Sequence, residues 1–161
     1  MLNYTNVITE EKSYSGLQMK EIKPVMKLVI RGKKREFLSA IGKSLNLLLP
    51  TEANTSSRSD KLTALWLSPD EWMVYSNETI NSESNEYETE NLLNKNISKT
   101  NLGAVTDVTD QFVLINIKGD KIFDLFDTGS PFNFFDFRRK KGSVTQTILA
   151  KIDVIIHNQN Q

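Results

Sequence analysis

LTALWLSPDEWMVYS, Leu62 to Ser76, decides how this chain is read. Leu62–Leu67 is apolar and suits a strand, and Trp72–Tyr75 suits its return. Between them Ser68-Pro69-Asp70-Glu71 forms a tight turn, with proline supplying the fixed φ of the second turn residue. Both tryptophans of the chain lie in this hairpin. Trp66 shares strand parity with Leu62 and Ala64, which points it to a core face. Trp72 sits just past the turn and suits either the core or a partner contact, since tryptophan is enriched at interface hot spots.

Working outward, Val25–Arg31 (VMKLVIR) predicts a strand that Gly32 ends. From Lys33 to about Asn46, Phe37, Leu38, Ile41 and Leu45 recur at helical spacing, and Pro50 stops continuation. Thr51–Lys61 reads as a polar loop, and acidic Glu78–Glu90 as a solvated loop or insertion. Leu92, Leu93 and Ile97 support a second helix. Val105–Val108 and Phe112–Ile117 predict two strands, the latter apolar on both faces and so expected at the centre of a sheet. Gly119 opens a short helix carrying Ile122, Phe123 and Phe126, and Gly129 fits its stop. Pro131–Lys141 is an aromatic-then-basic connector. Val144–Ile156 supplies one long or two short final strands. The order is strand, helix, strand, strand, helix, strand, which defines an α+β fold of the split βαβ, ferredoxin-like kind with an extra C-terminal helix and strands. Residues 1–16 are expected to form a flexible arm, 17–157 one domain and 158–161 a tail.

Composition narrows the function. The chain has 161 residues, in which 20 basic and 20 acidic residues cancel. That balance argues against a nucleic-acid partner, which usually demands a basic excess. With no cysteine, disulfides, thiolate metal sites and cysteine nucleophiles are excluded. The N-terminal stretch lacks the pattern of a secretion signal, and no apolar run approaches the ~20 residues that span a bilayer. A cytoplasmic location without membrane contact is the expectation.

Candidate chemistry is sparse. The seven glycines lie too far apart for a phosphate-binding loop or a GxGxxG turn. His157, the single histidine, has no GxSxG elbow to serve and is expected to be an exposed or capping residue. Asp107 and Asp110 in TDVTD could form an acid–base pair, but Asp and Thr at a bend more often satisfy backbone donors. Asp120, Asp124 and Asp127 read as the solvated face of a short helix. Two basic runs, Arg31–Arg35 and Arg138–Lys141, flank apolar segments. The second follows Phe134, Phe135 and Phe137. Because the aromatics precede the charges rather than alternate with them, a protein contact or plain core packing is favoured over a nucleic-acid surface.

The hairpin LTALWLSPDEWMV also resembles the LxxLWLGPDEWLL motif of the gamma subunit of heterotetrameric sarcosine oxidase. Leu47–Thr55 (LLLPTEANT) resembles that family's LP-x-E-x-N segment. Ala104–Pro131 resembles its VDVSD strand and the helix ending in Gly-x-Pro, and Gln146–Ile156 resembles its QTLL-x-K final strand. The likeness covers about residues 25–157. Ser68 stands where the family usually has glycine, and Ser130 where many members carry cysteine. The resemblance implies a fold like the folate-binding domain of aminomethyltransferases. It also implies a non-catalytic role within a complex that oxidatively demethylates sarcosine to glycine, releasing hydrogen peroxide with formaldehyde or methylenetetrahydrofolate. The partners would be alpha, beta and delta subunits, which would hold FAD, FMN, NAD, zinc and tetrahydrofolate. No cofactor, metal or catalytic residue is expected on this chain. Trp72, Phe134, Phe135, Phe137 and Arg138 are the expected partner contacts. The alternative is a stand-alone folate-binding protein using Asp107 or Asp110.

Overall fold

The computed structural model describes residues 5–8, 11–80, 88–97 and 101–159. At its centre is an antiparallel unit made of β3 (Lys27–Gly32), β5 (Leu62–Ser68), β6 (Glu71–Ser76) and β7 (Gly103–Asp107), with α1 (Arg35–Leu45) and α2 (Glu88–Ile97) as its helices. The strand order β5-β6-β3-β7 is that of a split βαβ sheet, extended at one edge by β4 (Ser56–Arg58). The short β4 lies inside the stretch expected to be a loop. Its polar side chains do not signal a strand, and it is held by antiparallel pairing of Ser56 with Leu65 and Arg58 with Thr63.

Strand parity sorts the core into two layers. Leu28 and Ile30 of β3 and Val74 of β6 point to the helices, where they meet Phe37, Ile41 and Leu45 of α1 and Leu93 and Ile97 of α2. Those α1 residues recur every four positions, so one helical stripe is buried. The helix ends at Asn46, which takes a left-handed φ of 48°, and Leu47 N–H returns to Gly42 O at 3.2 Å. The opposite sheet face carries Leu65, Met73 and Tyr75, packed with Val25, Val108 and Val144.

Two further sheets complete the domain. β1 (Lys12–Tyr14), β2 (Leu17–Glu21) and β8 (Ile115–Lys118) form one in the order β1-β2-β8, and β9 (Val144–Leu149) pairs with β10 (Ile152–His157) as a hairpin. β1 falls within the stretch expected to be an arm, where pairing with β2 orders Lys12–Tyr14. The expectation of a central strand at Phe112–Ile117 is corrected. Only Ile115–Lys118 is strand, and it pairs with β2 alone. Its apolar character has another source. Leu114 packs with the Val25 layer, while Ile117 packs into a phenylalanine cluster on α3 (Ile122–Gly129) and the following loop. In that cluster Phe134 is fully buried, and the rings of Phe123, Phe126, Phe132 and Phe137 lie 4.9–6.1 Å from it. No helix among the described residues is long and apolar enough to cross a membrane.

Candidate functional site

The hairpin turn is a polar clamp. Ser68 Oγ donates to Asp70 Oδ1 at 2.9 Å, Gly32 N–H donates to Asp70 O at 2.9 Å, and the Asp70 carboxylate meets Lys33 and Arg31 at 3.6 and 3.8 Å. The Ser68 hydroxyl, then Lys33 and Arg31, hold the Asp70 carboxyl below its usual range. Just beyond, Trp72 is buried and its indole N–H donates to Pro50 O at 2.7 Å. Its cross-strand partner Trp66 is only half-buried. Of the two tryptophans, Trp72 is therefore the one that belongs to the interior.

Of the acidic pair at and after the end of β7, Asp107 serves the backbone and Asp110 lines a neighbouring cleft. Asp107 Oδ1 accepts from Thr109 N–H at 2.8 Å, and Thr109 Oγ1 accepts from Lys27 N–H at 3.0 Å. Lys27 is buried, and its Nζ donates to Val25 O at 3.0 Å and Thr109 O at 2.9 Å. Burial lowers its pKa, opposed by the charges of Asp110 and Asp107. Beside it lies a cleft of about 150 Å³ lined by Ile22, Pro24, Asp110, Phe112, Val113 and Leu114 among others. Lys27 was not singled out from sequence, although a lysine on the inward parity of an apolar strand was a readable signal.

His157 is neither exposed nor a simple cap. It is half-buried at the end of β10, with Ser56 Oγ 2.9 Å from Nε2 and Tyr75 Oη 3.2 Å from Nδ1. Ser56 Oγ donates to Gly142 O at 2.9 Å, so it accepts from Nε2–H. A histidine protonated at Nε2 cannot take the serine proton, so this pair is not poised as a nucleophile and base. Burial first, then the charge of Arg58, lowers the His157 pKa to about 4.

The expected partner contacts separate into two groups. Phe134 and Phe137 are buried in the aromatic cluster, as Trp72 is beneath the hairpin, so all three face this chain's own interior. Phe135 remains half exposed, at 50%, with the Arg139 guanidinium 3.8 Å from its ring centre. Arg138 lies 5.3 Å over Phe123 and 3.4 Å from Asp127. Among the described residues, no three His, Cys, Asp or Glu side chains gather as a metal site.

Fold and side chains together define an α+β domain of the split βαβ class, in which Asp107 and His157 are engaged with the chain's own backbone and strands. Residues 31–161 match the model of the sarcosine oxidase, gamma subunit family, and the chain belongs to that family. The fold is similar to a chain of the heterotetrameric sarcosine oxidase from Corynebacterium sp. U-96 in complex with pyrrole 2-carboxylate. That match has a TM-score of 0.77 at 16% identity and covers 90% of this chain and 71% of the other. No curated protein sequence matches the chain.

Proposed function

We propose that this chain is a structural, non-catalytic subunit of a sarcosine-oxidising complex. The observation that carries the reading is the engagement of Asp107 and His157 within the fold itself. Asp107 caps Thr109 N–H, and His157 is wired between Ser56 and Tyr75 with its Nε2 proton facing the serine. Family membership favours this role over a stand-alone folate-binding protein. In this reading FAD, FMN, NAD, zinc and tetrahydrofolate reside on alpha, beta and delta partners in the cytoplasm, and this chain stabilises their assembly by binding only its folded state.

Of the five expected contact residues, Phe135 and Arg138 have the surface to meet a partner, and they are the proposed anchors. The test is co-expression with the flavin-bearing chains. Phe135→Ala with Arg138→Ala is expected to reduce co-purification and sarcosine-dependent peroxide release together, while the isolated chain oxidises no sarcosine. Turnover by the isolated chain would overturn the non-catalytic reading. Undiminished assembly of the double variant would remove these two residues from the interface.

A further inference from the structure

The C-terminal hairpin is joined to the five-stranded sheet by a directional chain of hydrogen bonds that runs through one imidazole. Gln159 Nε2 donates to Tyr75 Oη at 2.9 Å, which leaves the phenol proton for His157 Nδ1 at 3.2 Å. Burial raises the Tyr75 pKa above its ordinary 10, so the phenol remains a donor in neutral and acid solution. On the other side of the ring Nε2–H donates to Ser56 Oγ at 2.9 Å, and Ser56 donates to Gly142 O at 2.9 Å. Each hydroxyl in this chain has one donor and one acceptor role filled, and the order fixes the neutral Nε2–H tautomer. His157 lies on β10, Ser56 on β4 and Tyr75 on β6, so a single ring ties three strands from two sheets.

A proton added at Nδ1 would face the phenol proton donated by Tyr75. Relieving that clash requires the phenol hydrogen to rotate off Nδ1, which the Gln159 amide also faces at 3.4 Å. Arg58, on β4, adds a repulsive charge. We propose that His157 is an acid-operated latch, which holds the C-terminal hairpin to the sheet when neutral and releases it when protonated. The depressed pKa of His157 agrees with this geometry. Other polar ties between the same parts include the Thr55–Ser143 antiparallel bridge, Val144 N–H to Asn54 O at 2.8 Å, Gln146 Nε2 to Leu67 O at 2.7 Å, and the exposed Lys140–Glu52 ion pair at 2.9 Å. Glu52 is the acid-sensitive group among them and needs its own control.

The test uses nitrogen-detected NMR of the full chain, where a single histidine makes the imidazole signals unambiguous. At pH 7 the Nε2–H tautomer is expected. As the ring protonates, amides of Val144–His157 should lose at least about tenfold in hydrogen-exchange protection, while Leu28 and Ile30 keep theirs. His157→Gln should abolish the acid-induced opening and Glu52→Gln should preserve it. The Nδ1–H tautomer, persistence of the opening in H157Q, or loss of Leu28 and Ile30 protection in step with the hairpin would each overturn the latch. Should H157Q not fold, Tyr75→Phe decides. Loss of the phenol donor should raise the pH at which the ring protonates, and an unchanged midpoint would end the proposal.

Discussion

The indole N–H of Trp72 donates to the carbonyl of Pro50 at 2.7 Å, joining the start of β6 to the segment that follows α1. These two residues lie in separate stretches that resemble the gamma subunit family, and the bond ties the two stretches together. Trp72→Phe keeps much of the buried ring but leaves the Pro50 carbonyl without its donor. A loss of about 1–3 kcal/mol is expected, measured by chemical denaturation. Trp72→Ala adds a cavity and should cost about 3–5 kcal/mol. A loss well under 1 kcal/mol in Trp72→Phe would show that the bond contributes little.

Gly32 and Gly103 are direct partners between β3 and β7, and a Cβ on either would overlap the Phe37 ring. The ring therefore rests on two bare backbone positions, bringing α1 close to the sheet. Gly32→Ala, whose added Cβ would meet Phe37 alone, should destabilise by about 1–3 kcal/mol through overpacking. Pairing it with Phe37→Leu should cost less than the sum of the single changes, because the two sites share one volume. Strict additivity in this double-mutant cycle would contradict the contact.

Thr109→Val removes the acceptor for Lys27 N–H at the end of the sheet. A cost of about 1–3 kcal/mol is expected for a backbone donor left unpaired. Asp107→Asn retains an oxygen for Thr109 N–H and should leave both stability and the activity of the assembled complex near wild type. A large loss of activity in folded Asp107→Asn would instead assign this carboxylate to chemistry.

Much of this fold was legible because local patterns and long-range packing agree. The spacing of Phe37, Ile41 and Leu45 gives α1, and the strand–helix order gives the split βαβ sheet. Phe112–Ile117 misled because hydrophobicity on both sides of a segment records two apolar neighbours, and these need not be flanking strands. Leu114 and Ile117 join different clusters at a sheet edge. The phenylalanines were legible as a group but not as individuals, since no local rule separates buried Phe134 from half-exposed Phe135. The histidine network was illegible for a similar reason. Ser56 and His157 are 101 residues apart, and neither has a local pattern that names the other.

The turn between β9 and β10 places Ala150 and Lys151 at φ 50° and 72°, where side chains other than Gly, Asn and Asp are strained. Replacing the pair by Asn-Gly should stabilise the chain by roughly 1 kcal/mol, seen as a higher denaturation midpoint with unchanged slope. No gain would mean that the surrounding hairpin already offsets the strain.

His157 also sets a dependence of global stability on pH. Its pKa falls from 6.5 to about 4 on folding, so the unfolded chain takes up a proton in acid before the folded chain does. The contribution is therefore complete above about pH 6.5, declines as pH falls from there toward 4, and changes no further below. At about 1.4 kcal/mol per pH unit its ceiling is about 3 kcal/mol, and partial solvent access to the ring lowers that figure. Carboxylates titrate over part of the same range, so the informative quantity is a difference between proteins. Unfolding free energies of the wild type and His157→Gln, measured from pH 7.5 to 4, should converge as pH falls because the variant lacks the histidine contribution. Parallel curves across that interval would show that the ring binds protons equally in both states and that burial does not hold it neutral.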